Sequence, residues 1–127
     1  MKYLLDTCVF LWFLEQDARL SPDARAVLAD ENNTLGISII SFWEMAIKAS
    51  IGKLVLPASL SEMAVTASAE AIDIIPITVA TTEVLMTLPF HHTDPFDRSI
   101  IATSVEGGWT IVTPDALYDG YAIKRLW

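Results

Sequence analysis

Four short apolar runs, Lys2 to Leu5, Thr34 to Ile40, Ile72 to Ile77 and Trp109 to Thr113, alternate with helix-patterned stretches along 127 residues. Each run has the length of a strand. Parallel strands need a crossover of a dozen or more residues, usually a helix. The alternation therefore predicts an α/β chain whose parallel sheet is covered on both faces. The helices are expected at Thr7 to Glu15, Ser21-Pro22-Asp23 to about Glu31, Ser41 to Ser50, Ser59 to Ala71, Thr78 to Leu88 and Pro95 to Glu106. Tyr121 to Leu126 reads as a last short strand. Ser21 and Asp94 each precede a proline, the signature of an N-cap followed by Pro at the first helical position. Gly52 and Gly107-Gly108 mark helix ends.

The length fits one domain spanning 1–127. Hydrophobic residues make up 53% of the chain, enough for a generous core. The longest apolar runs are too short to span a bilayer. Asp6 interrupts the stretch that a signal peptide would need, so the expected location is the cytoplasm. Cys8 is the single cysteine and lies in an apolar run, which reads as a buried inert thiol in a reducing compartment. Net charge is −8, from 16 acidic and 8 basic residues. That excess is awkward for a protein touching phosphates. Bound cations, a basic partner, or a cluster of Lys48, Lys53, Lys124 and Arg125 would offset it. An acidic surface that keeps the domain soluble is the plainer reading.

Four acids fall where strand patterns meet helix patterns: Asp6, Glu44, Asp97 and Asp115. Open α/β sheets bind ligands outside the carboxyl ends of their strands. Acids delivered there repel one another unless a proton or a cation intervenes. Mg²⁺ or Mn²⁺, held by oxygen ligands, is the expected resolution. Each acid also has a structural reading. Asp6 can cap the first helix, unless Thr7 caps it and leaves Asp6 free. Glu44 completes a capping box with Ser41 and can pair with Lys48 four residues on. Asp94 reads as a helix cap. Asp97, in the first turn beside it, reads as functional. Asp115 can be a turn residue. Arg98 pairs with a neighbouring acid or contacts a phosphate. His91 and His92 are adjacent and point apart, a poor arrangement for zinc, and no histidine stands out as a general base.

The segments Leu4-Leu5-Asp6-Thr7, Ser41-x-x-Glu44, His92-x-Asp94-Pro95-Phe96-Asp97-Arg98 with Ile101-Ala102, and Val112-Thr113-x-Asp115 resemble the PIN-domain ribonucleases. They look most like the VapC toxins of bacterial toxin–antitoxin pairs. The resemblance implies a Rossmann-like three-layer α/β/α sandwich with a mainly parallel sheet. It implies a homodimer, a VapB-type antitoxin, and RNA cleavage dependent on Mg²⁺ or Mn²⁺ that inhibits translation. Carried over by position, Asp6, Glu44, Asp97 and Asp115 match the acidic quartet and Asp94 an additional acid. Thr7 and Thr113 match supporting hydroxyls. Ser104 stands where alanine is common. Trp12, Phe13 and Trp43 are candidates for a dimer or antitoxin surface, with ordinary core burial as the alternative.

Two other classes compete. A haloacid-dehalogenase-like phosphotransferase needs a second Asp two residues after Asp6, and Cys8 stands there. A receiver domain needs a phospho-accepting Asp on a middle strand, where only Asp73 is offered. A PIN-like module that binds without cutting is the third reading.

Overall fold

The computed structural model describes every residue, Met1–Trp127. Five strands, β1 (Lys2–Leu5), β2 (Thr34–Ser38), β3 (Ile72–Ile75), β4 (Thr110–Val112) and β5 (Lys124–Leu126), form one sheet in the order β3-β2-β1-β4-β5. Every pairing is parallel. Six helices connect them: α1 (Thr7–Glu15), α2 (Pro22–Ala29), α3 (Ile39–Ser50), α4 (Leu60–Ala69), α5 (Val79–Thr87) and α6 (Pro95–Gly107). The order places β1 at the centre, and the chain leaves it in both directions. The gap between β1 and β4 is the topological switch point, where open sheets of this kind bind ligands.

Period-two alternation assigns each strand residue to one of two cores. Tyr3, Leu5, Leu35, Ile37, Ile72 and Val112 face one layer with Phe10, Met45, Met63 and Ala67 from α1, α3 and α4. Leu4 and Ile111 face the other, with Ile100, Ile101 and Ala102 from α6. The result is the expected three-layer sandwich. Phe10 is fully buried, and its enclosure alone contributes about 2 kcal/mol.

Local chemistry explains most boundaries. Ser21 caps α2 by accepting from Ala24 N–H at 3.1 Å, with Pro22 at the first helical position. Gly108 ends α6 at φ 69°, in the left-handed region that glycine enters at little cost. Gly107 beside it has a different reason: an added Cβ would lie 2.4 Å from Trp109 Nε1.

Several expected boundaries shift by one to three residues, among them β3, which ends at Ile75, and β5, which starts at Lys124, and one shift matters for the site. The second strand stops at Ser38, not Ile40, and α3 starts at Ile39. Ser38 Oγ accepts from Ile40 N–H at 3.1 Å and is the N-cap. Ser41 is therefore inside the helix, and the Ser41–Glu44 capping box does not form. Apolar Ile39 and Ile40 prolong the strand pattern and hide the true start. The turn expected around Asp115 and Tyr118-Asp119-Gly120 is a short 3-10 helix, Ala116–Gly120.

Candidate active site

Asp6 follows β1 directly and is 8% exposed. It does cap α1: Oδ1 accepts from Thr7 N–H at 2.8 Å. Its other oxygen, Oδ2, accepts from Thr113 Oγ1 at 2.7 Å. Asp6 N–H donates to Val112 O, which ties the two strand ends together. Capping and a place at the switch point are thus one geometry, and Thr7 does not free Asp6 by capping in its stead. Thr7 instead turns its hydroxyl sideways, 2.8 Å from Ser41 Oγ, and donates to Glu44 Oε1 at 2.7 Å. Lys48 holds Glu44 Oε2 from the next turn of α3.

Asp115 caps the 3-10 turn, Oδ1 accepting from Leu117 N–H at 3.0 Å. Its own N–H donates to Thr113 Oγ1 at 3.1 Å. A single chain of hydrogen bonds therefore runs Asp115–Thr113–Asp6–Thr7–Glu44 across the ends of β4, β1 and β2. Asp97, in the first turn of α6, accepts from Tyr118 Oη at 3.1 Å. Asp94 caps α6 by accepting from Phe96 N–H at 2.8 Å.

Electrostatics show the acids converging. Asp97 is pushed up to about 6 by burial, then by the negative charges of Asp6 and Asp94. Burial raises the Asp6 carboxyl as well, with Glu44 and Asp115 adding to the rise against hydrogen bonds from Thr113 and Thr7. Lys48 is raised, first by its bond to Glu44 and further by Asp94 and Asp97. Asp6 thus feels Glu44, Asp115 and Asp97, and Asp97 feels Asp94, with Lys48 and His92 set against them.

The donors are oxygens, and the crowding of anions suits a hard divalent cation. Asp6, Glu44, Asp97 and Asp115 supply carboxylate oxygens of that kind near the switch point. No group of three or more His, Cys, Asp or Glu side chains is arranged as it stands to enclose an ion. The hydroxyl and amide partners just described hold the carboxylates in their present rotamers. A hollow of about 600 Å³ lies elsewhere, at the amino ends of β1, β4 and β5 beside Lys2, Trp109 and Lys124.

A PIN-domain family model matches residues 3–124. This chain belongs to the PIN-domain family. The PIN domain is 33% identical over 115 residues to Ribonuclease VapC22 of Mycobacterium tuberculosis (strain ATCC 25618 / H37Rv), covering 88% of this chain and 85% of that protein. Solved structures share the fold at lower identity. The Rickettsia felis VapBC2 complex bound to a promoter DNA fragment aligns at TM-score 0.72 and 16% identity, covering 99% of this chain and 98% of the other. VapBC-1 of nontypeable Haemophilus influenzae aligns at TM-score 0.61 and 16% identity, over 99% and 97% of the two chains. FitAcB of Neisseria gonorrhoeae aligns at TM-score 0.61 and 18% identity, over 98% and 96%. The haloacid-dehalogenase and receiver readings fall with the family assignment.

Arg98 of this PIN domain is not where the sequence suggested. It is buried and reaches neither an acid nor the site. Its guanidinium donates to the carbonyls of Pro89 at 2.8 Å, Leu85 at 3.3 Å and Leu88 at 3.4 Å, and stacks on Phe90 at 4.0 Å. These carbonyls terminate α5, so Arg98 ties the end of one helix to the start of α6. Its position one after Asp97 turns it about 100° round the helix, away from that acid. Two members of the expected basic cluster are engaged by acids: Lys48 is on Glu44, and Arg125 forks onto Asp119.

Cys8 is only partly buried, though burial still pushes its thiol up to about 12. Trp12 and Phe13 pack partly against the core, whereas Trp43 is 63% exposed on α3. His92, not singled out from the sequence, sits against one of the acids: Nε2 lies 2.9 Å from Asp115 Oδ2. Its place in His92-x-Asp94-Pro95-Phe96-Asp97-Arg98 was the available signal. Tyr118 had none, since a tyrosine in a turn says nothing of what it reaches. No helix is long and apolar enough to cross a membrane.

Proposed function

We propose that this PIN domain is a divalent-metal-dependent endoribonuclease, the toxin of a VapB–VapC-type pair, which inhibits translation by hydrolysing RNA phosphodiesters. The observation that carries the reading is the hydrogen-bonded chain Asp115–Thr113–Asp6–Thr7–Glu44 at the switch point, with Asp97 beside it. Metal-free, such a cluster is costly: burial and mutual repulsion both raise Asp97 and Asp6. Mg²⁺ or Mn²⁺ offsets that cost.

Asp6, Glu44, Asp97 and Asp115 would hold the cation, with Asp94 adding negative charge while it caps α6. When bound, the cation supplies Lewis-acid stabilisation of the phosphate and an acidified water. The protein's own part is positioning. Thr113 and Thr7 fix the Asp6 carboxylate, Thr7 and Lys48 fix Glu44, and Tyr118 fixes Asp97. Prearranged charge of this kind stabilises the in-line transition state of phosphoryl transfer without reorganisation.

The relative's ribonuclease name and the VapBC assemblies of the structural neighbours support an RNA substrate and a VapB-type antitoxin, and a cytoplasmic homodimer completes the proposal. Purified protein freed of antitoxin, incubated with single-stranded RNA and Mg²⁺ or Mn²⁺, should cut internally, and EDTA should stop it. Intact RNA under every metal condition would favour the PIN-like module that binds without cutting.

A further inference from the structure

His92 is 6% exposed, and its backbone N–H and both ring nitrogens are engaged. Its backbone N–H donates to Tyr121 Oη at 2.8 Å. The same oxygen lies 3.2 Å from Nδ1. The ring's other nitrogen faces the Asp115 carboxylate, which only accepts, so in a neutral ring Nδ1 is the acceptor and takes the Tyr121 hydroxyl hydrogen. A neutral imidazole that accepts at Nδ1 carries its hydrogen on Nε2. That hydrogen points at Asp115 Oδ2, 2.9 Å away. The ring is stacked on Tyr121, 27° between planes, and inclined against Tyr118 with centroids 4.7 Å apart. Tyr118 in turn donates to Asp97. One buried aromatic unit therefore hydrogen-bonds two of the acids.

Asp115 has need of it. Its side chain is 37% exposed, and apart from His92 only Leu117 N–H holds it. A carboxylate on a solvent-facing turn samples several rotamers unless a second donor selects one.

We propose that His92 is a positioning residue: it presents Asp115 to the divalent cation through Nε2–H, with Tyr121 setting the tautomer. This rests on the metal-dependent reading above. Partners of this kind, one shell out from an ion, are worth about 10- to 100-fold in metal affinity.

Calorimetric titration with MnCl₂ tests it on four proteins beside the wild type: His92→Phe, His92→Gln, Asp115→Asn, and His92→Phe combined with Asp115→Asn. Phenylalanine keeps the ring between the tyrosines and deletes the donor; glutamine returns a donor near the Nε2 position. His92→Phe is expected to weaken Mn²⁺ by about 10-fold or more, and His92→Gln to recover most of the loss. Asp115→Asn should bind equally with and without His92→Phe, because the histidine acts only through that acid. Wild-type affinity in His92→Phe, or an equal loss on the Asp115→Asn background, overturns the proposal and leaves the metal reading intact. No uptake by the wild type at millimolar Mn²⁺ overturns both. A second readout needs no metal and no variant at His92. Long-range ¹H–¹⁵N correlation of the wild-type imidazole should show Nε2–H, with the Nε2 resonance moved in Asp115→Asn. An Nδ1–H tautomer overturns the proposal even if His92→Phe does not fold.

Discussion

Thr113 donates its hydroxyl hydrogen to Asp6 Oδ2 at 2.7 Å across 107 positions of sequence, joining the end of β4 to the end of β1. The bond is buried and lies at the switch point of the sheet. Thr113→Val keeps the shape and deletes the donor. An unpaired buried acceptor costs about 1–3 kcal/mol, so the metal-free denaturation midpoint should fall, and Thr113→Ser should restore it. An unchanged midpoint in the valine variant would remove Thr113 from the support of Asp6.

Asp6→Asn deletes the charge at the centre of the hydrogen-bonded chain while keeping a group that can still cap α1. Cleavage of single-stranded RNA should be abolished with the circular dichroism spectrum unchanged. Because burial, Glu44 and Asp115 all disfavour the ionised Asp6 carboxyl, the metal-free melting temperature should hold or rise. Cleavage at the wild-type rate would take Asp6 out of the chemistry.

The metal-free protein should lose stability as pH rises through the weakly acidic range. Asp97 has an ordinary value of 3.8 and is pushed up to about 6 in the folded chain. Between those values the folded state binds more protons than the unfolded state, so unfolding becomes easier with increasing pH. Asp6 acts in the same direction. Asp17 and Asp119, held low by Arg19 and Arg125, act in the opposite sense, and only below about pH 4. Thermal melts from pH 4 to 7 should show the decline in the wild type, a shallower one in Asp97→Asn, and little at saturating Mg²⁺. A wild-type profile rising over that range would contradict the electrostatic picture.

Arg98 tests the difference between structure and chemistry within one motif. Arg98→Met leaves the carbonyls of Leu85, Leu88 and Pro89 without their donor at the end of α5. Losing hydrogen bonds from a charged group is expected to cost about 3 kcal/mol. RNA cleavage per folded molecule should stay near the wild-type level. A large loss of cleavage at undiminished stability would return Arg98 to the site.

The legible parts of this chain were those encoded locally. Proline after Ser21 and Asp94, glycine after α6 and short apolar runs located most elements to within two residues. The acids were visible because each sits at a strand end in a chain with few charges. What escaped was encoded by contacts remote in sequence. Ser41 looks like a cap because its serine and Glu44 have the right spacing, yet Ser38 takes that role and frees Ser41 to meet Thr7. Arg98 looks like a site residue because it adjoins Asp97, yet neighbours on a helix face different directions. Tyr118 and Tyr121 join the site only because the 3-10 turn folds them back under α6.

Crystals of the antitoxin-free protein soaked in Mn²⁺ and measured for anomalous scattering bear most directly on the shared ion. The expected result is a peak between Asp6 and Asp97, at roughly 2 Å from a carboxylate oxygen of each, the reach of a hard cation to such a ligand. Millimolar Mn²⁺ with no peak among Asp6, Glu44, Asp97 and Asp115, in a fold otherwise unchanged, would contradict it.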